Sequence, residues 1–286
     1  MIFYTSSLFS QEGGDTLKYI FLGHTKKRVN DQVKVDPRIE NLDYSYFDRV
    51  WLGGDVTDES NLDYETLEYI DSLFDVSNPS NHWAFGNHDM RNYNDEWLME
   101  ITGKKTYYAH FENGITTMVL NYGITPSDCE KLNEQYKMIQ NVCDTISKSS
   151  HLILLSHYCP WKNVPGLPDP HSYANANFKS WIANCYDKPA LFPNTIYPLL
   201  LKVKNKGITV INILGDTGSN YKGKSMVSSD GIYFIASGIK ENTQEKRGPD
   251  KVLMIKHVPS TKYLDWEFLN LDSLYNSFNG KGIGRE

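Results

Sequence analysis

The chain has 286 residues, of which 29 are basic and 35 acidic, so its formal net charge at pH 7 is −6. Hydrophobic residues make up 40% of the chain and aromatic residues 13%, which is enough for a sizeable core and excludes a wholly disordered protein. The acidic balance and the lack of a long Lys/Arg run argue against a dedicated nucleic-acid binder. Apolar runs fall far short of the ~20 residues that span a bilayer, so we expect a soluble protein without a membrane span.

The cysteines give little guidance to the fold. No C-x-x-C pair occurs, so a zinc ribbon is not expected, and a disulfide framework for a chain of 286 residues needs more cysteines. The N-terminal segment MIFYTSSLFS lacks the basic and apolar regions of a signal peptide. We therefore expect a cytoplasmic protein, with export left open if a leader has been removed, and ordinary free thiols at Cys129, Cys143, Cys159 and Cys185.

The first half of the chain alternates strands and helices. Short apolar runs predict strands over 18–22, 49–52 and 82–85, each closed by a glycine. Apolar residues at helical spacing predict a helix over 62–74. A further apolar run predicts a fourth strand over 115–121.

The second half begins with a long helix and ends in strands. Ser127 is the predicted N-cap of this helix, with Glu130 completing a capping box, and its apolar stripe continues to about residue 148. Residues 159–198 are rich in Pro, Asn and aromatic residues without a clear period, which is typical of a functional insertion. The remaining predicted elements are a strand over 152–155, a helix over 195–205, and strands over 208–214, 232–236, 252–257 and 264–269.

The order of these elements, alternating β and α before a β-rich end, predicts an α/β fold of two layered sheets flanked by helices. We expect one domain over residues 1–286, with its core at about 17–270, the insertion at about 159–198 and a flexible tail at 279–286. The glycines of that tail do not follow a strand, so they do not indicate a nucleotide-binding loop.

Polar residues follow the predicted strands at the point where each strand ends. In open α/β sheets, ligands bind beyond the carboxyl ends of the strands, so loops of this kind converge on one site. A glycine before the polar residues lets the chain turn sharply and brings the backbone close to a ligand. Each such segment alone is a common turn, but five of them in one α/β chain indicate a functional site. They contain His24 and Lys26; Asp55 and Asp58; Asn87, His88 and Asp89; His157; and Asp216.

Two of these segments, 53–58 (GGDVTD) and 86–89 (GNHD), resemble the central motifs of the calcineurin-like metallophosphoesterases. His157, which follows the apolar run LILLS, resembles the fourth motif of that family. The resemblance covers roughly residues 17–240. It implies a four-layer α/β/β/α sandwich, in which helices flank two mixed sheets and two metal ions lie at the strand ends.

The resemblance also implies a role for each matching residue. Asp55 would bridge the two metals, and Asn87 and His157 would be ligands of the second metal. His88 would donate a proton to the leaving group, held in place by Asp58. The implied reaction is in-line attack of a metal-bound hydroxide on the phosphorus of a phosphomonoester or phosphodiester.

The first and last motifs of the family are altered in this chain. Where the family has D-x-H after the first strand, this chain has the sequence HTK over 24–26, and where the family has G-H-x-H, it has GDTG over 215–218. The first metal keeps only His24 and Asp55, and the Lys26 ammonium would repel it by ~4 kcal/mol at a separation of ~4 Å. The second metal keeps donors suited to Mn²⁺, Fe²⁺ or Zn²⁺, namely Asp55, Asn87, His157 and Asp216.

The sequence leaves the role of the altered residues open. We favour Lys26 standing in for the first metal and contacting the phosphate; alternatively, Lys26 swings out and a weakly held metal binds through His24. A third arrangement lets His24 and Asp216 exchange ligand duties across the site. In the simplest alternatives, Lys26 belongs to a solvated basic turn with Lys27 and Arg28, and Asp216 closes a turn or caps a helix.

Other residues near the motifs are candidates for substrate binding. Arg91 would contact phosphate in bidentate fashion, and Tyr93 lies nearby in the sequence. In the insertion, His171 would reach the substrate, and Trp161 and Asn163 would line the mouth of the site. The histidines without motif context are expected on strand faces or on the surface: His82, His151 and His257.

The leading prediction is a metal-dependent phosphoesterase that acts on a small phosphorylated substrate through an atypical centre with one or two ions. The rival prediction is a non-catalytic protein that keeps the fold as a binding or scaffold module, because the first and last motifs are damaged. The pairing of His88 with Asp58 favours the enzyme, since a scaffold has no chemical need for it. A third alternative is a metal-free hydrolase that uses Lys26 and His88. The substrate and the oligomeric state cannot be read from the sequence.

Overall fold

The structure is a computed structural model, and it describes residues 15–29, 32–92, 94–169, 182–185, 190–216, 223–239 and 249–279. Within these residues it contains two large mixed sheets, two small two-stranded sheets and seven α-helices. The helices are α1 (Pro37–Glu40), α2 (Tyr64–Phe74), α3 (Asp95–Thr102), α4 (Cys129–Thr145), α5 (Phe192–Thr195), α6 (Tyr197–Asn205) and α7 (Leu271–Phe278). The strands are β1 (Leu17–Leu22), β2 (Lys26–Val29), β3 (Gln32–Val35), β4 (Arg49–Leu52), β5 (His82–Trp83), β6 (Tyr108–Glu112), β7 (Ile115–Leu120), β8 (His151–Ser156), β9 (Ile182–Ala183), β10 (Ala190–Leu191), β11 (Thr209–Leu214), β12 (Lys224–Val227), β13 (Tyr233–Ala236), β14 (Lys251–Val258) and β15 (Tyr263–Asn270).

The two large sheets each contain a block of parallel strands. The first sheet has the order β15-β14-β1-β4-β5, with β1, β4 and β5 parallel. The second has the order β12-β13-β11-β8-β7-β6, with β7, β8, β11 and β13 parallel. The loops that follow parallel strands leave the sheet at one edge, and the predicted site residues lie in these loops.

Three apolar clusters fill the spaces around the large sheets. One contains residues of both sheets, another joins the first sheet to α1, α2, α3 and α7, and the third joins the second sheet to α4 and α6. Strand β1 shows how the sequence produces this division, because successive side chains of a strand point to opposite faces. Tyr19 and Phe21 belong to the cluster shared by the sheets, whereas Ile20 and Leu22 belong to the cluster with the helices.

The strands predicted from apolar runs are all present, with ends that differ by one or two residues. Helix α4 begins later than predicted, because Asp128 rather than Ser127 is its N-cap: the Asp128 carboxylate accepts a hydrogen bond from the backbone N of Lys131 at 3.2 Å. Elements missing from the sequence prediction, such as the β2–β3 hairpin, β6 and α3, are short or lack a clear apolar period. Among the described residues, no helix is long and apolar enough to cross a membrane.

The prediction of four free thiols is wrong for two of them. Cys129, the first residue of α4, forms a disulfide with Cys185, and their Cα atoms are 5.6 Å apart. Beside it, the backbone N of Asn184 donates to the carbonyl of Pro126 at 2.8 Å. The spacing did not reveal the pair because only the tertiary fold brings together cysteines 56 residues apart. Disulfides persist mainly in oxidising compartments, so the bond weighs against the cytoplasmic expectation.

The segment predicted as an insertion over 159–198 contains regular structure in its described part. Strands β9 and β10 pair antiparallel, and α5 follows directly after β10. Residues 170–181 and 186–189 of this segment, and most of the tail predicted over 279–286, lie outside the described residues.

The disulfide predicts the number of reactive thiols. In the denatured but non-reduced protein we expect a thiol reagent to label only Cys143 and Cys159, and all four cysteines after reduction. Because the bond closes a loop of 56 residues, the double variant Cys129→Ser/Cys185→Ser should lose about 4 kcal/mol of unfolding free energy in urea denaturation. Four labelled thiols before reduction would contradict the assignment.

Candidate functional site

Three glycines bring the loops of the two large sheets into contact. Gly23 follows β1, Gly53 follows β4 and Gly215 follows β11. A Cβ built on Gly215 would lie 2.0 Å from the carbonyl oxygen of Gly53, and one built on Gly23 would lie 2.5 Å from the Cα of Gly215. These contacts are between backbones, which cannot move aside as a flexible side chain can. Only hydrogen fits at these positions, so the glycines determine how closely the site loops approach one another.

Asp55 lies at the centre of the converging loops. Its side chain is almost fully buried and its backbone has a positive φ of 55°, a conformation that non-glycine residues rarely adopt. One carboxylate oxygen, Oδ1, accepts a hydrogen bond from the backbone N of His88 at 3.0 Å. Burial by itself raises the pKa of Asp55, but His157 and Lys26 outweigh it and hold the pKa well below its usual range.

The Asp89 carboxylate holds the backbone around Asp55 in place, a role that the sequence did not reveal. This buried carboxylate accepts hydrogen bonds from the backbone N of Asp55, Val56 and Gly86, at 2.8, 3.0 and 2.7 Å. It also accepts from the hydroxyl of Ser60 at 2.6 Å. The aspartate that ends the GNHD segment therefore holds the loop after β4 against the loop after β5.

His157 presents a buried ring nitrogen to the site. Its Nδ1 donates to the carbonyl of Gly53 at 2.7 Å, because a carbonyl only accepts. Its Nε2 has no hydrogen-bond partner and lies 3.4 Å from Asp55 Oδ1 and 3.9 Å from Asp216 Oδ2. Burial lowers the pKa of His157, but the two carboxylates outweigh this effect and raise it. The two carboxylates therefore stabilise a positive charge at this nitrogen.

Lys26 and His24 lie on the other side of Asp55. Lys26 is 2% exposed and its Nζ is 3.3 Å from Asp55 Oδ2 and 4.0 Å from Asp58 Oδ1, so the alternative of a solvated basic turn is wrong. His24 Nε2 is 3.7 Å from the same Asp55 oxygen, and its Nδ1 is 3.1 Å from the carbonyl of Ile239. Burial lowers the pKa of His24 to about 4, which keeps it neutral at pH 7.

His88, Asp58 and Arg91 form the exposed edge of the site. His88 Nδ1 lies 2.7 Å from Asp58 Oδ1, which is the pairing that the sequence predicted. His88 Nε2 accepts from Arg91 Nη2 at 3.1 Å and lies 3.8 Å from Asp55 Oδ2. Asp58 therefore orients the imidazole, and Arg91 occupies the hydrogen-bonding position of the other ring nitrogen.

The remaining predicted site residues divide into those that reach the cluster and those that do not. The Asn87 side chain contacts Tyr158, the residue after His157, because its Oδ1 accepts from the Tyr158 hydroxyl at 3.1 Å. The backbone N of Asp216 donates to the carbonyl of His157 at 2.9 Å, which brings the buried Asp216 side chain beside the ring. Trp161 was predicted at the mouth of the site, but it is 1% exposed and packs in the apolar cluster between the second sheet and its helices, because its large ring is more stable there. His171 and Tyr93 lie outside the described residues.

The distances between the donor atoms match those of a shared divalent ion only in part. Ligand atoms that share an ion lie about 3.0–3.4 Å apart, from metal–ligand distances of about 2.0–2.1 Å, so the 3.4 Å between Asp55 Oδ1 and His157 Nε2 is suitable. The 3.9 Å to Asp216 is too wide, and within the described ranges no group of three or more His, Cys, Asp or Glu side chains is already arranged to hold a metal. On the other side of Asp55, the Lys26 ammonium lies 3.3 Å from Oδ2, where it would repel a second ion.

The likeness of this chain to known proteins is weak. No family model and no curated protein matches the chain. Among solved structures, the chain is similar to that titled the crystal structure of Chaetomium thermophilum Vps29, with 8% sequence identity over 90% of this chain and 97% of that chain, at a TM-score of 0.35. A likeness of this degree carries no argument about activity.

Replacement of Gly215 by alanine tests the backbone contact between the loops of the two large sheets. Gly215→Ala places a Cβ 2.0 Å from the Gly53 carbonyl, and we expect the free energy of unfolding to fall by about 3 kcal/mol or more, because backbone must shift. The matched control is Gly123→Ala, whose nearest contact would be the Asn121 side chain at 3.0 Å. Equal losses for both variants in chemical denaturation would contradict the assignment.

Proposed function

We propose that this chain is a phosphoesterase that hydrolyses a small phosphomonoester or phosphodiester at the strand-end site, through a centre that holds one divalent ion and uses the Lys26 ammonium in the place of a second. The observation that carries this proposal is the environment of Asp55. One of its oxygens faces the unpartnered Nε2 of His157 at 3.4 Å, and the other faces Lys26 Nζ at 3.3 Å. The buried Asp55 carboxylate thus has a position for positive charge beside each of its oxygens. Lys26 occupies one of these positions, and the ion would occupy the other.

The proposal includes a single domain with the four-layer α/β/β/α arrangement of the metallophosphoesterases. The apolar clusters support it, because one cluster is shared by the two large sheets and each sheet has a separate cluster with its own helices. This arrangement directs the loops after β1, β4, β5, β8 and β11 toward one another.

Asp55 and His157 would hold the ion at the separation that the structure shows, and Asn87 and Asp216 would complete its coordination once the Asp216 carboxylate moves closer to His157. These nitrogen and oxygen donors suit Mn²⁺, Fe²⁺ or Zn²⁺. The hydrogen bond from His157 Nδ1 to Gly53 supports this role, since metal-binding histidines almost always donate their other N–H to an acceptor that orients the ring. When bound, such an ion would lower the pKa of a water molecule and offset negative charge on the phosphoryl oxygens.

Lys26 supplies a positive charge that does not depend on loading with metal. A buried ammonium attracts an anion more strongly than one on the surface does, because water screens it less. Lys26 has three N–H donors, and within the described residues its carboxylate neighbours are Asp55 and Asp58. A donor is thus left for a phosphoryl oxygen of the substrate.

His88 would deliver the proton to the leaving group. The Asp58 carboxylate lies 2.7 Å from His88 Nδ1 and so orients the ring toward the substrate position. The contact between His88 Nε2 and Arg91 must first be exchanged, and Arg91 is able to move because its side chain is 40% exposed. Once the Arg91 guanidinium has moved from His88 to the phosphate, the Nε2–H of His88 would face the leaving-group oxygen.

A second candidate function is a non-catalytic module that binds phosphorylated ligands. The observation that favours it is the close pair of Lys26 and Asp55 at 3.3 Å, which neutralises the central carboxylate without an ion. The lack of a preassembled metal-binding group in the described part of the chain agrees with this alternative as well.

Metal analysis of the purified protein tests the ion. We expect about one equivalent of Mn, Fe or Zn per chain, and the loss of most of it in His157→Gln, since that variant removes the unpartnered donor. The matched control is His151→Gln, a buried histidine at the other end of β8, which should keep the metal. Two equivalents in the wild type, or equal content in both variants, would count against the proposal.

Hydrolysis assays on simple phosphoesters test the catalytic role of His88. We expect His88→Asn to lower kcat by roughly 10²–10⁴-fold with the metal content unchanged, because proton transfer to the leaving group is lost. His110→Asn, a half-buried histidine of β6, serves as the control and should keep its rate. Ligand binding without turnover that depends on His88 would favour the non-catalytic alternative.

A further inference from the structure

A cavity of about 440 Å³ opens beside the candidate site. It shares Asn87 and Arg91 with that site, and Tyr158, whose hydroxyl donates to Asn87, forms part of its wall. The volume is in the range of pockets that take small molecules. A group esterified to a phosphate at the candidate site would extend past Asn87 and Arg91 into this space.

The charged side chains of the cavity wall balance one another. Arg91 and Lys131 contribute two positive charges, and Asp95 and Asp128 contribute two negative charges, so the formal charge of the lining is zero. The Asp128 carboxylate is held in place as the N-cap of α4, and Asp95 is the first residue of α3. Both carboxylates offer hydrogen-bond acceptors to a ligand in the cavity.

The rest of the wall combines apolar surface with hydroxyl groups. The half-buried Met90 and Ile124 supply apolar surface, together with the small exposed parts of Phe85 and Tyr158. Thr106 and Thr125 supply hydroxyls that both donate and accept hydrogen bonds. A ligand with apolar faces and a rim of hydroxyl groups matches both parts of this lining.

We propose that the cavity binds the leaving group of the substrate and that this group is a neutral, hydroxyl-rich moiety of the size of a sugar ring. The inference rests on the proposed function and names its substrate class, a phosphate ester of a sugar or similar polyol. Its hydroxyls donate to Asp95 and Asp128, and its ring lies against Ile124 and Met90.

Other common leaving groups fit the wall less well. A second phosphate would face Asp95 and Asp128, and like charges at close range repel. An acyl chain would leave these carboxylates and the threonine hydroxyls without water or partners, which costs free energy. A polyol satisfies the acceptors and adds no charge.

The test compares two primary alkyl phosphates of similar intrinsic reactivity, a hexose 6-phosphate and ethyl phosphate, each as the monoester and as its methyl diester. We expect the wild type to favour the hexose ester by at least about tenfold in kcat/KM, the effect of one or two well-made hydrogen bonds. In Asp95→Asn and in Thr125→Trp, which narrows the cavity at an exposed position, the ratio should fall toward one. The control is Glu96→Gln, the exposed neighbour of Asp95 outside the cavity wall, which should keep the ratio.

The outcomes separate this inference from the proposed function. Hydrolysis of both esters without preference, or a preference that Thr125→Trp does not reduce, overturns the inference and leaves the phosphoesterase proposal intact. If no ester is hydrolysed, the phosphoesterase proposal fails and calorimetry decides the inference. Binding of hexose 6-phosphate at least about tenfold tighter than inorganic phosphate, weakened by Thr125→Trp, supports it, and equal affinities overturn it.

Discussion

The contact between the backbones of Gly53 and Gly215 is the constraint on which the rest of the site depends. It joins a loop of the first large sheet to a loop of the second, at a distance where a Cβ on Gly215 would lie 2.0 Å from the Gly53 carbonyl. The Gly53 carbonyl then accepts the hydrogen bond that orients His157. A single backbone position thus sets both the spacing of the sheets and the direction of a functional side chain.

Asp55 is the second shared element, because positive groups of different chain segments meet at its carboxylate. Lys26 comes from the start of the β2–β3 hairpin, and His157 follows β8. The carboxylate stays ionised despite burial because these neighbours outweigh the cost of removing it from water. Its two oxygens face chemically different partners, an ammonium and an imidazole, which gives the two halves of the site different properties.

The sequence predicted the strands and the polar loops well, because each strand is a short apolar run and its end is marked by glycine. The loops after β1, β4, β5, β8 and β11 do bring His24, Lys26, Asp55, His157 and Asp216 together. The disulfide between Cys129 and Cys185 was not predictable, since it depends on where residues 56 apart meet in space. The burial of Trp161 and the role of Asp89 were missed for the same reason: both are decided by packing and hydrogen bonds between distant segments.

The two sides of Asp55 would have different parts in the proposed function. Lys26 would supply a positive charge that belongs to the chain itself, and His157 would offer the ring nitrogen that faces Asp55 and Asp216. An anomalous-scattering map of crystals grown with Mn²⁺ or Zn²⁺ tests this account most directly. The account predicts one peak, bonded to His157 Nε2 and Asp55 Oδ1, with Lys26 Nζ beside the other oxygen of Asp55. Two peaks with Lys26 displaced, or no peak at His157, would contradict it.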